Sequence, residues 1–268
     1  MKKRQRGFDG LAIVSKRKRP PREEKQFKAA FGKISGKVFD DKTIDVLLGL
    51  INKKVISSLD YPIAQGKEAM VFRATVRDAA TGQAEFRAVK IFKYETSSFF
   101  KSMQNYVEGD PRFRIPSTHR AMVQLWARKE YANLKKCFEA GVSVPEPLIQ
   151  RENVVVMQFL GEEGIPCTLL EKSEVEDASA LWKKVLQSLE KAYCAGLVHA
   201  DLSSFNIIMC GNEPFFIDWG QSVLLEHPQA QWFLEKDVQN LVKFFNKLGV
   251  GASVKDVLER LQKRRARK

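Results

Sequence analysis

The sequence contains no run of about 18 apolar residues, the length a helix needs to cross a bilayer, and its lysine-rich start lacks the apolar stretch of a secretory signal. A cytoplasmic, monomeric protein without membrane contact is expected. Cysteine is sparse: Cys137, Cys167, Cys194 and Cys210 include no C-x-x-C pair and share the chain with only three histidines. Neither a zinc site nor a disulfide framework is suggested by that spacing. Internal repeats are absent as well. What is present, 268 residues of which 44% are hydrophobic, suits one large domain or two lobes with a sizeable core.

Negative charge is deficient only locally. The net charge is +13, yet residues 1 to 25 hold ten Lys/Arg against three acids, and residues 260 to 268 hold six against none. The other 234 residues balance 29 bases with 29 acids, so the body is neutral and the excess sits on two flanks. Arms such as KKRQR, KRKRPPR and KRRARK suit phosphate contacts that depend steeply on salt, as with RNA; the plainer alternative is a solubilising tail. The expected organisation is a basic, disordered arm over 1 to 25, an N-terminal helix and first lobe over 26 to 160, a helical second lobe over 161 to 259, and a basic tail over 260 to 268.

Asp40 and Asp41 stand where a helix cap is expected, followed by Ile44, Leu47, Leu48 and Ile51 at helical spacing. From Leu59 to Lys93 the pattern becomes strand-like, with a turn over Ala79 to Gln83 between Met70–Val76 and Glu85–Lys93. A small antiparallel sheet follows from it. Residues 95 to 117 have no period and read as a flexible loop, on which Phe99, Phe100, Tyr106 and Phe113 either dock or stay mobile. A helix is expected from about Thr118 to Glu139, two strands over 142 to 150 and 154 to 159, a linker over Gly161 to Pro166, and a buried helix from Val175 to Ala195. Beyond Trp219 the chain reads as helical, with stripes at Val238, Leu241, Val242 and Phe245, then Val254, Val257, Leu258 and Leu261.

The chemistry concentrates in Leu197 to Val223, LVHADLSSFNIIMCGNEPFFIDWGQSV. Asp201 precedes Asn206 by five residues, and Asp218 follows. Phosphoryl transfer needs a carboxylate to orient the acceptor hydroxyl and oxygen ligands to hold magnesium across the nucleotide phosphates, and these three residues supply both. Ile207–Met209 and Phe215–Ile217 read as strands joined by a Gly211-Asn212 turn, a hairpin that brings Asn206 and Asp218 together. In the first lobe, Phe86, Ala88, Lys90 and Phe92 share one face of a strand, so Lys90 lies among apolar neighbours. On the following helix Met122, Trp126, Glu130, Leu134 and Phe138 form an i, i+4 ridge whose only charge is Glu130. A carboxylate facing a core must be paired, and Lys90 is its natural counter-ion. Upstream, Gly66, with Lys67 beside it, offers the one place where backbone can approach a phosphate closely.

With these residues in order, the chain resembles the protein kinase superfamily, and within it the atypical RIO kinases, most closely the first RIO subfamily. The resemblance covers about residues 55 to 250. It rests on Gly66-Lys67-Glu68-Ala69, Ala88-Val89-Lys90, Tyr106-Val107 to Phe113-Arg114, Leu197 to Asn206, and above all Ile217-Asp218-Trp219-Gly220-Gln221-Ser222-Val223. It implies an α+β, two-lobed protein-kinase-like fold with a small antiparallel-sheet N-lobe and a truncated, mainly helical C-lobe lacking an activation loop and peptide-binding helices. It also implies ATP with magnesium or manganese, Lys90 on the phosphates while paired with Glu130, Asp201 as catalytic base, and Asn206 and Asp218 as metal ligands. Gln158, Phe159 and Leu160 would form the hinge whose backbone meets adenine. The glycine turn departs from the kinase pattern: Ala64 and Ala69 replace two glycines, and Ala64-Gln65 replace the hydroxyl residues common in the family.

Fifty residues follow Asp218 and no A-P-E segment appears, so a generic peptide has little to dock on. Water or an enzyme side chain then becomes an acceptor. The resemblance implies a serine protein kinase and ATPase acting on the pre-ribosomal small subunit, through a phosphorylated aspartate at Asp218. Two rivals share some features: a small-molecule phosphotransferase of the aminoglycoside or choline kinase type, and a non-catalytic RNA-binding scaffold. Gln221-Ser222-Val223 and the Gly66 turn oppose the first; the complete set of polar residues opposes the second.

Overall fold

The structure, a computed structural model, describes residues 39 to 78, 81 to 94 and 99 to 266, without the side chains of 99 to 102. The basic arm expected over residues 1 to 25 lies outside them. Helix α1 (Asp41–Asn52) begins where Asp40 Oδ1 accepts the Thr43 N–H at 2.8 Å, satisfying an amide that the helix itself cannot. Its buried residues include Ile44, Leu47, Leu50 and Ile51. Strands β1 (Ser58–Gln65), β2 (Ala69–Arg77) and β3 (Ala84–Phe92) follow, then helices α2 (Phe99–Val107) and α3 (His119–Glu139), then strands β4 (Pro147–Arg151) and β5 (Val154–Gln158). The five strands form one antiparallel sheet in the order β1-β2-β3-β5-β4.

The two-residue period of β3 decides the layers. Val89 and Ile91 pack with Leu47, Leu50 and Ile51 of α1, while Ala88 and Phe92 join Met122 and Trp126 of α3. Along α3 the expected ridge holds through Leu134, but Phe138 is 42% exposed. Each i+4 step on a helix of 3.6 residues per turn drifts by about 40°, so the fifth member has rotated off the core face. The segment expected to be a loop, residues 95 to 117, carries α2, whose Met103 and Val107 are buried and whose Tyr106 ring lies 6.0 Å from Trp126 and 5.4 Å from Phe233. Nine residues give too few turns for a period to stand out; contact with both lobes holds the helix.

The second lobe opens with β6 (Gly161–Glu162) and β7 (Ile165–Pro166), a small hairpin where a linker was expected, and continues through β8 (Thr168–Leu169), α4 (Ala178–Cys194), β9 (Leu197–Val198), β10 (Ile207–Cys210), β11 (Glu213–Phe216), β12 (Val223–Leu224), α5 (Ala230–Lys247) and α6 (Val254–Arg265). Register pairs Ile207 with Phe216, which sets Asn206 beside Ile217 and Asp218. β12 pairs with β9, so the chain runs from Asp218 back to the strand that precedes Asp201 and then into α5. The expected absence of disulfides is corrected: β8–β10 pairing sets Met209 opposite Thr168, and Cys167 and Cys210, with Cα atoms 5.3 Å apart, are bonded. Their 43-residue separation hid a pairing that only strand register creates. The basic tail is also less free than its composition suggests, because α6 continues to Arg265 and the buried Glu190 of α4 pairs with Arg260 and Arg264.

Asp40 also accepts from Arg120 Nη1 at 2.6 Å. Burial alone would raise its pKa, but the bonds from Thr43 and Arg120 bring it below the ordinary aspartate value of 3.8. Its contribution to stability is therefore present above that value and is lost as pH falls through the lowered pKa. Asp40→Ala is expected to cost about 1 kcal/mol and lower Tm by about 2–4 °C at neutral pH, with the difference shrinking at the acid limit. Thermal denaturation followed by circular dichroism across pH checks this.

Candidate active site

Lys90 is the point where the two lobes meet chemically. From β3 its ammonium donates to Glu130 Oε1 at 2.7 Å and Oε2 at 2.8 Å on α3, and to Asp218 Oδ1 at 3.1 Å beyond the β10–β11 hairpin. Glu130 is 3% exposed and Lys90 9%. Burial by itself lowers the pKa of a lysine, but Asp218 and Glu130 together hold Lys90 above its ordinary value, so it stays a cation. Burial likewise acts to raise Asp218, and Lys90 overrides it, keeping that carboxylate ionised; its side chain is about half exposed.

The segment from His199 to Asn206 is held by side-chain hydrogen bonds. Asn206 Nδ2 donates to Asp201 O at 2.7 Å and to Asp201 Oδ2 at 3.1 Å, so the amide oxygen of Asn206 is the atom it offers to a cation. Ala200 (φ 69°) and Asp218 (φ 66°) adopt the left-handed conformation without being glycine, a cost concentrated at functional positions. His199, 2% exposed, donates from Nε2 to Ile217 O at 2.9 Å and lies 4.7 Å from the Trp219 ring; burial lowers its pKa and keeps it neutral. It ties the strand before Asp201 to the residue before Asp218.

The glycine turn closes with Gly66 N–H to Ala69 O at 2.9 Å and is pinned by Lys93 Nζ to Gly66 O at 2.6 Å. A methyl at Gly66 would meet only Ala69 O at 3.5 Å, so the fold itself does not demand glycine there. Gly66 and Lys67 are exposed. Gln158 ends β5 exposed, while Phe159 and Leu160 are buried and Leu160 O accepts from Cys167 N–H at 3.0 Å. Gly161 next to them is obligatory: a Cβ would lie 2.3 Å from both Ile165 O and the Phe159 ring.

Thus Lys90, Glu130 and Asp218 come into direct contact, as do Asp201 and Asn206, whereas Gly66, Lys67 and Gln158–Leu160 are placed only by their segments. Four further residues were given no individual role by the sequence reading. Glu68 follows Lys67 in the turn; burial first, then Asp218, raises its pKa to about 8. Asp237, 1% exposed on α5, accepts Ala200 N–H at 2.8 Å and Leu202 N–H at 2.7 Å, fixing the backbone on either side of Asp201; burial raises its pKa to about 7. Lys129 and Asn133 are fully buried on α3 against the segment after Asp218. The signal was available for Asp237, an acid on the Leu234–Val238–Leu241 stripe, by the same reasoning that found Glu130. For Lys129 it was not, because residues adjacent to a ridge read as its solvent flank.

The donor set suits a hard divalent cation: an amide oxygen from Asn206 and a carboxylate from Asp218. Among the described residues no group of three or more His, Cys, Asp or Glu could hold a metal by itself, so a cation held by Asn206 and Asp218 would need phosphate oxygens and water as its remaining ligands. The Lys90 contact makes a stability prediction. Lys90→Met leaves Glu130 buried without its cation and should cost about 3–5 kcal/mol, whereas Lys90→Met with Glu130→Met should recover most of that loss. Urea denaturation of both variants reads the difference.

Residues 70 to 257 match the RIO domain family. The chain is 37% identical over 227 residues to the RIO-type serine/threonine-protein kinase Rio1 of Methanocaldococcus jannaschii, covering 84% of this chain and 76% of that one. It is 36% identical to the human serine/threonine-protein kinase RIO1, covering 83% of this chain and 39% of the human protein. Among solved structures, the Rio2 kinase-ADP/Mg2+-phosphoaspartate complex from Chaetomium thermophilum superposes with a TM-score of 0.60 at 24% identity, covering 87% of this chain and 74% of that one, which establishes the shared fold. Among the described residues no helix is long and apolar enough to cross a membrane. The chain belongs to the RIO family of atypical protein kinases, in its Rio1 subfamily.

Proposed function

We propose that this protein is an ATP- and magnesium-dependent serine/threonine-type kinase that also hydrolyses ATP through an aspartyl phosphate on Asp218. The observation that carries the reading is Lys90, held at 2.7, 2.8 and 3.1 Å between Glu130 and Asp218 in a cleft that also presents Asp201 and Asn206. Magnesium, held by Asn206 and Asp218 with the phosphates, would neutralise charge on the nucleotide. The residues of the chain do the rest. Lys90 orients the phosphates, the Gly66 turn covers them, and the Gln158–Leu160 backbone receives the base. Asp201 accepts the proton of an attacking hydroxyl or water; burial raises its pKa, moving it toward the range where a base can both take and release a proton.

The acceptor side favours a small or self-supplied nucleophile. β12 returns to β9 and leads into α5, which leaves no activation loop between Asp218 and Ala230. Asp218 is half exposed and 3.1 Å from Lys90, so a terminal phosphate bound by Lys90 would lie within reach of its carboxylate. Transfer of the phosphoryl group to its carboxylate releases ADP; attack by water then releases phosphate and restores the carboxylate. Radiolabelled ATP should give a hydroxylamine-sensitive label that is absent in Asp218→Ala; in Asp201→Ala the label should persist while ATP turnover is lost, because the water that attacks the acyl phosphate lacks its base. Label that resists hydroxylamine and survives Asp218→Ala would contradict the acyl phosphate.

The basic arms support a partner rich in phosphate, and we assign them to the RNA of the pre-ribosomal small subunit, in the cytoplasm. Removing residues 1 to 25 deletes ten cations, so affinity for pre-ribosomal particles should fall and the dependence of log K on log salt should flatten. Filter binding at two salt concentrations checks this, and equal slopes for both proteins would contradict it.

A further inference from the structure

Three of the four residues after Asp218, Trp219, Gly220 and Ser222, present their carbonyl oxygens to one face of α3. Lys129 Nζ donates to Gly220 O at 2.9 Å and to Ser222 O; Asn133 Nδ2 donates to Trp219 O at 3.0 Å and to Ser222 O at 3.1 Å. Lys129 and Asn133 are one helical turn apart, and both are 0% exposed. The loop is pressed against the helix closely enough that a Cβ on Gly220 would lie 2.9 Å from Trp126 Nε1 and 3.4 Å from Glu130 Oε2. From its other side Ser222 Oγ donates to His199 O at 3.1 Å.

Asn133 is itself oriented. Its Oδ1 accepts from Arg112 Nη2 at 2.8 Å, which turns Nδ2 toward the loop, and Arg112 is fixed by a two-point pair with Asp110, Nε to Oδ1 at 2.9 Å and Nη2 to Oδ2 at 2.7 Å. Arg112 follows α2, which lies against both lobes through Tyr106 and is held by His227 Nε2 donating to Asn105 O at 3.0 Å.

We propose that Lys129 and Asn133 are positioning residues for Asp218, a carbonyl clamp that sets the metal-binding carboxylate from behind, with Arg112 as the relay that orients it. Asp218 thus sits between two anchored stretches, Ile217 held by His199 and Asn206, and residues 219 to 222 held by α3. The clamp does for this loop what a folded activation segment would otherwise do, and it links the segment around residues 105 to 112 to the metal site. The inference rests on Asp218 being a metal ligand.

Binding of Mn2+ in the presence of ADP, read from the free-ion signal by electron paramagnetic resonance, tests it on the full chain without measuring turnover. Lys129→Met should weaken Mn2+ binding by about tenfold or more, the range typical when a group supporting a ligand is removed, with Arg112→Ala smaller but in the same direction. ADP affinity without metal should stay unchanged in both. Asn153→Ala, which removes a buried amide whose bonds go to Thr43 and Phe92 O and not to the loop, should lower Tm without changing Mn2+ affinity. Mn2+ binding in Lys129→Met and Arg112→Ala no weaker than in Asn153→Ala overturns the clamp; if Lys129→Met does not fold, Arg112→Ala alone decides. Equal binding by the native protein and Asp218→Ala overturns the metal reading and the clamp with it.

Discussion

Everything in the cleft depends on one buried cation. The Lys90 ammonium draws a carboxylate from α3 and another from the second lobe to within 3.1 Å, and each of the three groups would be costly to bury alone. The geometry reaches back to the sheet. Antiparallel pairing of β3 with β2 and β5 fixes which face each side chain takes, so Val89 and Ile91 go to the α1 layer while Ala88, Lys90 and Phe92 go to the α3 layer. A slip of one residue would send Lys90 to the wrong side and leave Glu130 without its cation.

The second lobe solves a different problem: holding the loop that carries Asp218 without an activation segment. Carboxylates and backbone bonds do it from three directions. Asp237 grips the amides of Ala200 and Leu202, His199 bonds Ile217 O, and Lys129 with Asn133 takes the carbonyls beyond Asp218. Ala200 and Asp218, two of the five non-glycine residues with left-handed φ among the described residues, lie inside these restraints, which is how their conformations persist. Groups held in this way need little reorganisation when charge develops on a transferred phosphoryl group.

Periodicity carried most of the fold and part of the site. Lys90 and Glu130 were legible because a charge on an apolar face must find a partner, and Asn206 and Asp218 because the Gly211-Asn212 turn makes a hairpin. Asp237 obeyed the first rule and was overlooked on a stripe read only for its apolar members. α2, the Lys129 clamp and the Cys167–Cys210 bond were not legible. They arise from contacts between distant segments: Tyr106 between Trp126 and Phe233, Lys129 against Gly220, and β8 against β10. Phe138 shows the opposite error, a regular ridge extended one step beyond where helix geometry keeps it on the core.

A structure with a non-hydrolysable ATP analogue and magnesium tests the central claim most directly. The account predicts that Lys90 keeps its bonds to Glu130 while reaching the phosphates, and that the metal is bound by Asn206 Oδ1 and Asp218. A nucleotide seated with Lys90 turned away from Glu130, or a metal without Asp218 in its shell, would contradict it.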